Sequence, residues 1–173
     1  IWIIGSNLSE ITLGASSYLE YFHGQITGRP PVIDLEDEKL CQEIIRNSIS
    51  KEFVLSCHDI SDGGLSVALA ECSILSGLGA QIFLENDLRE DKLLFGEGGS
   101  RMIFSIDINK KDTWLEYLNK LNKIFKDNLY IKKIGFVSKN NLKIKCLNKV
   151  ICDLKVSTLA DKFNNGIIKN FQK

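Results

Sequence analysis

Apolar residues recur along the chain with two different spacings, and the first of these predicts strands. In the clearest case Leu142, Ile144 and Cys146 alternate with lysines, which is typical of a strand with one buried face. The run at 53–57, apolar except for Ser56, is instead typical of a short buried strand. Together these patterns predict strands at 1–4, 53–57, 80–84, 102–106, 130–137, 142–147 and 150–156.

The second spacing, of three and four residues, predicts helices. Asp34 precedes three acidic residues and then apolar positions at helical spacing, so it is predicted to cap a helix that ends near residue 49. Apolar residues surround the predicted helix 65–76, which indicates a deeply buried helix that Gly77 and Gly79 end. Other helices are predicted over 14–22, after a cap at Asp112 and after a cap at Ser157 or Thr158, while 86–94 is predicted to be a loop or a short helix.

Turn residues predict two hairpins late in the chain. Asparagines at 140–141 would join strands 130–137 and 142–147, and a turn at 148–149 would lead into strand 150–156. Strands and helices with late hairpins are typical of an α+β domain. A length of 173 residues suits one domain, so 1–173 is predicted to be a single domain.

Charge and composition argue against several classes of protein. The formal net charge is zero and the pI is near 6.9, so no general basic field would attract nucleic acid or anionic lipid. No apolar run approaches the roughly 20 residues that a membrane span needs, and no signal peptide is visible, so we expect a cytoplasmic protein. Five cysteines without a C-x-x-C pair, beside only two histidines, favour reduced thiols over a zinc site.

The first segment that could carry chemistry lies just before the predicted helix 65–76. Two glycines at a helix start let backbone N–H groups approach an anion, and the helix dipole favours negative charge there. Two carboxylates beside a phosphate would require a bridging Mg²⁺ or ordered water. In a purely structural interpretation, Ser61 or Asp62 caps the helix, the glycines permit close packing and His58 donates to a backbone carbonyl. The candidate ligand-binding residues here are His58, Asp59, Ser61, Asp62, Gly63 and Gly64.

The second segment is a glycine-rich loop, residues 94–101, that leads directly into a strand. Arg101 could clamp a phosphate or carboxylate, Glu97 could accept from a sugar hydroxyl or an amide, and Ser100 is the third candidate of this loop. A flexible turn with an ion pair is the structural alternative. A third segment, residues 13–17, opens a helix with small residues, and it could either bind phosphate or be a plain capped helix start.

No catalytic residue and no metal-ligand set is predicted. The chain lacks a nucleophile elbow, an H-E-x-x-H motif and a plausible Ser-His-Asp set. Cys57 and His58 are neighbours, but adjacent side chains of a strand point to opposite faces. We therefore do not expect this pair to act as a glutaminase.

In chain order, these segments resemble the last domain of phosphoribosylformylglycinamidine synthase, in its large or synthetase subunit. The resemblance is firm from residue 1 to about 107, and its most specific part is HDISDGGLSVALAE at 58–71. The wider superfamily includes aminoimidazole ribonucleotide synthetase, selenophosphate synthetase, thiamine-phosphate kinase and a hydrogenase maturation factor. The doubled glycine and the later GEGGSR at 96–101 favour the purine enzyme. The other matching segments are LGASS at 13–17, GRPP at 28–31 and DLEDE at 34–38.

The resemblance implies a mixed, largely antiparallel sheet with packed helices, like the C-terminal domain of aminoimidazole ribonucleotide synthetase. It also implies that the chain is a fragment, the C-terminal domain of a longer enzyme, which agrees with an opening Ile1–Gly5 that lacks Met and reads as the inside of a strand. In the full enzyme, ATP and Mg²⁺ activate the formamide oxygen of formylglycinamide ribonucleotide, and ammonia from glutamine then displaces phosphate. We expect most nucleotide and metal ligands, and the catalytic histidine, to lie in other domains. This domain alone is therefore expected to be inactive, and no cofactor is assigned to it.

The implied partners are the remaining synthetase domains, a glutaminase domain or subunit, and a purine-pathway ribonucleotide substrate. Two departures from the family pattern leave other functions open. Gly14-Ala15-Ser16-Ser17 stands where members often have Gly-Gly-Ser-Glu, and Glu97-Gly98-Gly99 stands where they often have Glu-Ser-Gln. One alternative is therefore a non-catalytic scaffold half that stabilises a pseudo-symmetric synthetase. A weaker alternative is an ATP enzyme like thiamine-phosphate kinase.

Overall fold

The computed structural model describes residues 1–5, 11–85, 88–125 and 129–171, which form two four-stranded sheets with packed helices. The strands are β1 (Trp2–Gly5), β2 (Val54–Asp59), β3 (Gly79–Leu84), β4 (Arg101–Ile106), β5 (Tyr130–Lys133), β6 (Gly135–Ser138), β7 (Asn141–Cys146) and β8 (Lys149–Lys155). The helices are α1 (Ser17–His23), α2 (Leu35–Ser50), α3 (Gly64–Ser76), α4 (Glu90–Phe95), α5 (Lys111–Phe125) and α6 (Val156–Phe171), with a 3-10 turn at Ile108–Lys110 before α5.

The strand pairing confirms the predicted mixed, largely antiparallel α+β fold. The first sheet has the order β2-β4-β1-β5, and all its neighbouring strands are antiparallel. The second has the order β6-β3-β7-β8, in which only β3 and β7 are parallel. Within the described residues, no helix is both long and apolar enough to cross a membrane.

The predicted strand 130–137 is wrong, because it is two strands that belong to different sheets. Ile134 separates β5 of the first sheet from β6 of the second. The backbone N–H groups of Ile134 and Gly135 donate to the Ile1 carbonyl at 3.0 and 3.2 Å. A Cβ atom at Gly135 would collide with the Gln81 carbonyl, so glycine permits the close approach at which the chain changes sheet.

One of the two predicted hairpins is confirmed and the other is wrong. β7 and β8 pair antiparallel, from Asn141 opposite Lys155 to Cys146 opposite Lys149. The asparagines at 140–141 do not join paired strands, because β3 lies between β6 and β7. β3 comes from much earlier in the chain, so its insertion leaves no signal in the local turn residues.

Helix α2 begins as predicted. The Asp34 carboxylate accepts from the backbone N–H groups of Glu36 and Asp37 at 2.8 and 3.1 Å, which satisfies two amides that have no partner within the helix. Helix α1 begins at Ser17, later than predicted, since Ser16 is its N-cap.

The other helix starts correct the prediction. Asp112 lies inside α5, which begins at Lys111, and Asp107 caps the 3-10 turn before it. Helix α6 begins at Val156, before both predicted caps. Of the segment 86–94, residues 86 and 87 lie outside the described part, and α4 contributes a short helix from Glu90.

The first sheet separates two hydrophobic cores. On one face, Ile3 and Ile103 pack with α3 and the second sheet. On the other face, α2 and α5 cover the sheet, and the fully buried Trp114 is central. The Trp114 ring lies 5.5 Å from the Phe104 ring and 6.0 Å from that of Trp2, both edge-on, an arrangement that aromatic pairs favour.

Two elements are less buried than the sequence predicts. β2 is an edge strand, so Leu55 is 70 % exposed and Cys57 also lies at the surface. Helix α3 buries Leu65 and Leu69, but Leu75 is 80 % exposed. No residue from 64 to 74 is exposed, so only the C-terminal end of the helix departs from the predicted deep burial. None of the five cysteines, all of which lie in the described part of the chain, forms a disulfide.

We expect Leu69→Ala to lower the free energy of unfolding by about 2–5 kcal/mol, because it removes buried methyl groups and leaves a cavity. Leu75→Ala makes the same chemical change on the same helix at an exposed position, and we expect it to cost about 0.5 kcal/mol or less. Urea denaturation followed by circular dichroism measures both. Equal losses for the two variants would contradict the difference in burial between Leu69 and Leu75.

Candidate functional site

The Glu97 carboxylate joins the three segments that the sequence singles out. Its Oε1 atom accepts from the backbone N–H of Ser17 at 2.9 Å and from that of Gly63 at 2.8 Å. Ser17 is the first residue of α1, and Gly63 is the N-cap of α3. A carboxylate at two helix N-termini satisfies unpaired amides and is favoured by both helix dipoles.

The backbone reinforces this junction. Thr12 and Glu97 form an isolated antiparallel bridge, with both N–H to carbonyl distances at 2.9 Å. Gly14 N–H donates to the Thr12 hydroxyl at 2.9 Å, so the start of the third segment is held against the second. Thr12 was not among the predicted site residues, since a lone threonine in a polar connection carries no signal.

The two glycines before α3 serve close packing, as the structural interpretation predicts. Gly63 and Gly64 have φ angles of 77° and 69°, in the left-handed region that glycine tolerates. A Cβ atom at Gly64 would lie 2.8 Å from the Gly96 carbonyl oxygen, so a side chain would separate the two loops. The predicted cap by Ser61 or Asp62 is wrong, because no side chain caps the helix at Gly63 and Glu97 supplies the acceptor from another segment.

His58 lies near the end of β2, with partners on both ring nitrogens. Nδ1 lies 2.6 Å from the Asp59 carbonyl oxygen, which matches the predicted backbone contact. Nε2 lies 3.4 Å from a carboxylate oxygen of Glu71 on α3. Glu71 is not among the predicted site residues, because its contact with His58 depends on how α3 packs on β2. The arrangement orients the imidazole ring.

The remaining polar side chains of this segment point to solvent. Asp59, Ser61 and Asp62 are all exposed, and the Asp59 side chain is 68 % exposed. They lie at the end of β2 and before α3, where they are free to meet a ligand or a neighbouring domain. Within the described residues, no group of three or more His, Cys, Asp or Glu side chains could hold a metal ion.

Arg101 lies inside the protein, with 4 % of its surface exposed. Its Nη2 atom donates to the Gly96 carbonyl at 2.7 Å, and its Nε atom has no acceptor among the described atoms. Burial lowers the pKa of the guanidinium to about 10, and the Glu97 carboxylate opposes that shift. In this geometry Arg101 holds the glycine-rich loop from the protein interior. Its predicted role as a clamp for an anion stays a prediction.

Ser100 connects the same loop to α2. Its hydroxyl donates to a carboxylate oxygen of Glu38 at 2.8 Å, and its backbone has a φ of 56°. Burial acts to raise the pKa of the Glu38 carboxyl, but hydrogen bonds from Gln42 and Ser100 outweigh it and lower the pKa. The contact between Glu38 and Ser100 leaves no local signal in the sequence, since the two residues lie 62 positions apart.

We expect Glu97→Ala to lower the free energy of unfolding by about 1–3 kcal/mol, because it leaves the Ser17 and Gly63 amides without their acceptor. Glu97→Gln keeps a side-chain oxygen there, so it should lose clearly less. Urea denaturation gives the stabilities, and amide hydrogen exchange at residues 17 and 63 should quicken most in the alanine variant. Unchanged exchange at both amides would contradict the shared hydrogen bond.

We also expect Cys57 to alkylate slowly. Loss of water around the thiol raises the pKa of Cys57 to about 11, with smaller contributions from Cys72 and Asp59. The reactive thiolate should therefore be roughly a hundredfold scarcer at pH 8 than in an ordinary cysteine. Mass spectrometry of iodoacetamide labelling should show a rate that still rises at pH 10. A plateau near pH 8 would mean an activated thiol.

Comparison with known proteins gives matches along most of the chain. The family described as AIR synthase related protein, C-terminal domain, matches residues 1–126. The phosphoribosylformylglycinamidine synthase subunit PurL of Prochlorococcus marinus strain MIT 9312 is 61 % identical over 96 % of this chain, and that of strain MIT 9313 is 40 % identical over the same share. The chain spans about a fifth of the length of these relatives, 22 % in both cases.

Solved structures share the fold at lower identity. Thermotoga maritima PurL complexed with FGAR superposes with a TM-score of 0.72 at 20 % identity, covering 92 % of this chain and 27 % of that one. E. coli HypE superposes with a TM-score of 0.57 at 15 % identity, covering 90 % of this chain and 49 % of that one. The family match covers well over half of the chain, and the fold agrees with it. The chain belongs to the family of AIR synthase related proteins, as a C-terminal domain of that family.

Proposed function

We propose that this chain is the C-terminal domain of the synthetase subunit of phosphoribosylformylglycinamidine synthase. The observation that carries the proposal is the 61 % identity to a subunit of that name over 96 % of the chain. Relatives at 40 % identity have the same name over the same share of the chain. These names do not favour the alternative of an enzyme like thiamine-phosphate kinase.

The proposed reaction forms a carbon–nitrogen bond in purine biosynthesis, with glutamine as the amide donor. The γ-phosphoryl group of ATP moves to the formamide oxygen of formylglycinamide ribonucleotide and ADP leaves. Ammonia from glutamine then forms the new C–N bond, and the C–O bond breaks with release of phosphate. Solved structures of Thermotoga maritima PurL are named as complexes with ATP and with FGAR, which supports this choice of substrates.

This domain would form one side of the ligand-binding site of the synthetase, with its groups already held in place. The exposed residues Asp59, Ser61 and Asp62 are the polar groups that could face a ligand held by other domains. Behind them, the bonds of Glu97 and Arg101 keep the glycine-rich loop and the start of α3 in one arrangement. Mg²⁺ is usually held by one or two carboxylates together with water and substrate phosphates, so Asp59 and Asp62 would serve it only beside a nucleotide that other domains hold.

The proposed partners follow from the same assignment. They are the remaining synthetase segments, a glutaminase domain or subunit, and the ribonucleotide substrate, in the cytoplasm. A structure named PurLQS from Thermotoga maritima, in which the matched chain has 19 % identity to this one, supports assembly with further subunits.

A scaffold without ligand contact is the second candidate, and one feature of the site favours it. The groups most suited to bind an anion are already engaged within the domain. Glu97 occupies the N-terminus of α3, and Arg101 is buried against Gly96. Under this alternative the domain would stabilise the synthetase without touching its substrates.

Asp62→Asn in the full-length synthetase separates the two functions. Asp62 is exposed, so we expect the melting temperature to change little. If the residue faces the ligand, amidine formation from formylglycinamide ribonucleotide, ammonia and Mg·ATP should fall at least tenfold. Glu116→Gln is the matched control, because it removes an exposed carboxylate of α5 away from the site, and it should keep full activity.

Other outcomes are equally informative. Full activity of Asp62→Asn would favour the scaffold. No amidine formation by the unmodified full-length protein would contradict the synthase assignment itself.

Titration of Mg·ATP into the 173-residue chain should leave its melting temperature unchanged, whereas saturating binding at about 100 times the dissociation constant would stabilise it by roughly 2.7 kcal/mol.

A further inference from the structure

An exposed apolar surface lies beside the candidate site, at the end of α1 and in the segment that leads to α2. We call it the 21–35 surface. Its side chains keep between 54 and 87 % of their area exposed. Between Glu20 and Glu36 every residue except Pro31 is exposed. The 21–35 surface consists of Tyr21, Phe22, Ile26, Val32, Ile33 and Leu35.

The segment carrying this surface is held to the domain at two points. Ala15 N–H donates to the Thr27 carbonyl at 2.7 Å, and Gly28 packs so tightly on Gly14 that an added Cβ atom would lie 2.7 Å from its Cα. Further along, Ile33 lies against Gly99, where an added Cβ atom would come within 3.0 Å of Ile33 Cγ1. The segment is therefore anchored at these points, while the apolar side chains before, between and after them face water.

Helix α1 continues the surface into the site. The Tyr18 ring stacks on Phe95 with centroids 4.9 Å apart, and Phe22 lies 5.0 Å from Tyr18. Phe95 comes two residues before Glu97, whose carboxylate holds the first amide of α1. Whatever covers the 21–35 surface would thus also border the glycine-rich loop.

We propose that the 21–35 surface docks against another segment of the same synthetase polypeptide, and this rests on the proposed function. The relatives named as that synthetase are long enough to supply the occupant, since this chain spans 22 % of their length. Six large apolar side chains within fifteen residues are exposed here, and soluble proteins rarely leave such a concentration in water unless it is an interaction site. Because the surface borders the candidate site, the docked segment would bring its own ligand-binding groups next to Asp59 and Asp62.

Hydroxyl-radical footprinting of the 173-residue chain and of the full-length synthetase tests the proposal. We expect labelling of Tyr21, Phe22, Ile26 and Val32 to fall several-fold in the full-length protein. In a full-length Ile26→Ser/Val32→Ser variant, labelling of Tyr21 and Leu35 should return toward that of the 173-residue chain. Leu147→Ser is the control, since it makes a comparable change at a residue that is 64 % exposed outside this surface.

Equal labelling of the surface in the two proteins would overturn the proposal. So would protection within the 173-residue chain that grows with its concentration, because a second copy would then be the occupant. An assay of amidine formation on the full-length protein separates these results from failure of the proposed function. If the full-length protein forms amidine but its 21–35 surface is not protected, only the docking proposal is contradicted. If the surface is protected but no amidine forms, only the synthase assignment is contradicted.

Discussion

The carboxylate of Glu97 organises this end of the domain. One oxygen accepts from amides at the N-termini of α1 and α3, and the backbone of the same residue pairs with Thr12. Helix N-termini carry partial positive charge, so a carboxylate that lies between two of them is favoured by both helix dipoles. Here the chain supplies that anion itself. Together with the Thr12 bridge and the stacking of Tyr18 on Phe95, this carboxylate positions α1, which leads into the 21–35 surface.

The rest of the loop acts as a support for that carboxylate. Arg101 donates to Gly96 from the protein interior, and Ser100 ties the loop to Glu38 of α2. The absence of a side chain at Gly64 lets α3 begin directly against the loop. These groups are buried or partly buried, whereas Asp59, Ser61 and Asp62 remain in water. The candidate site therefore combines buried groups that fix the geometry of the loop with exposed groups that are free to meet a ligand.

The two-sheet architecture fixes the position of this loop. The first sheet has a core on each face, one built with α3 and the second sheet, the other around Trp114. β4, which follows the glycine-rich loop, lies between β1 and β2 inside that sheet. The loop is thus fixed at its end by a central strand, and its start is the end of α4. A short loop held at both ends keeps the Glu97 carboxylate in place.

The sequence by itself determined the α+β class, the cap at Asp34, the β7–β8 hairpin and the segments that form the site, because each depends on neighbours within a few residues. Tertiary structure alone decided that 130–137 divides between two sheets, that β3 enters between β6 and β7, and that Leu75 and Leu55 face water. It also decided that Glu97, and neither Ser61 nor Asp62, supplies the acceptor at the start of α3. Glu97 meets Gly63 across 34 residues and Ser17 across 80. Contacts over such separations are set by strand register and helix packing, which local periodicity does not record.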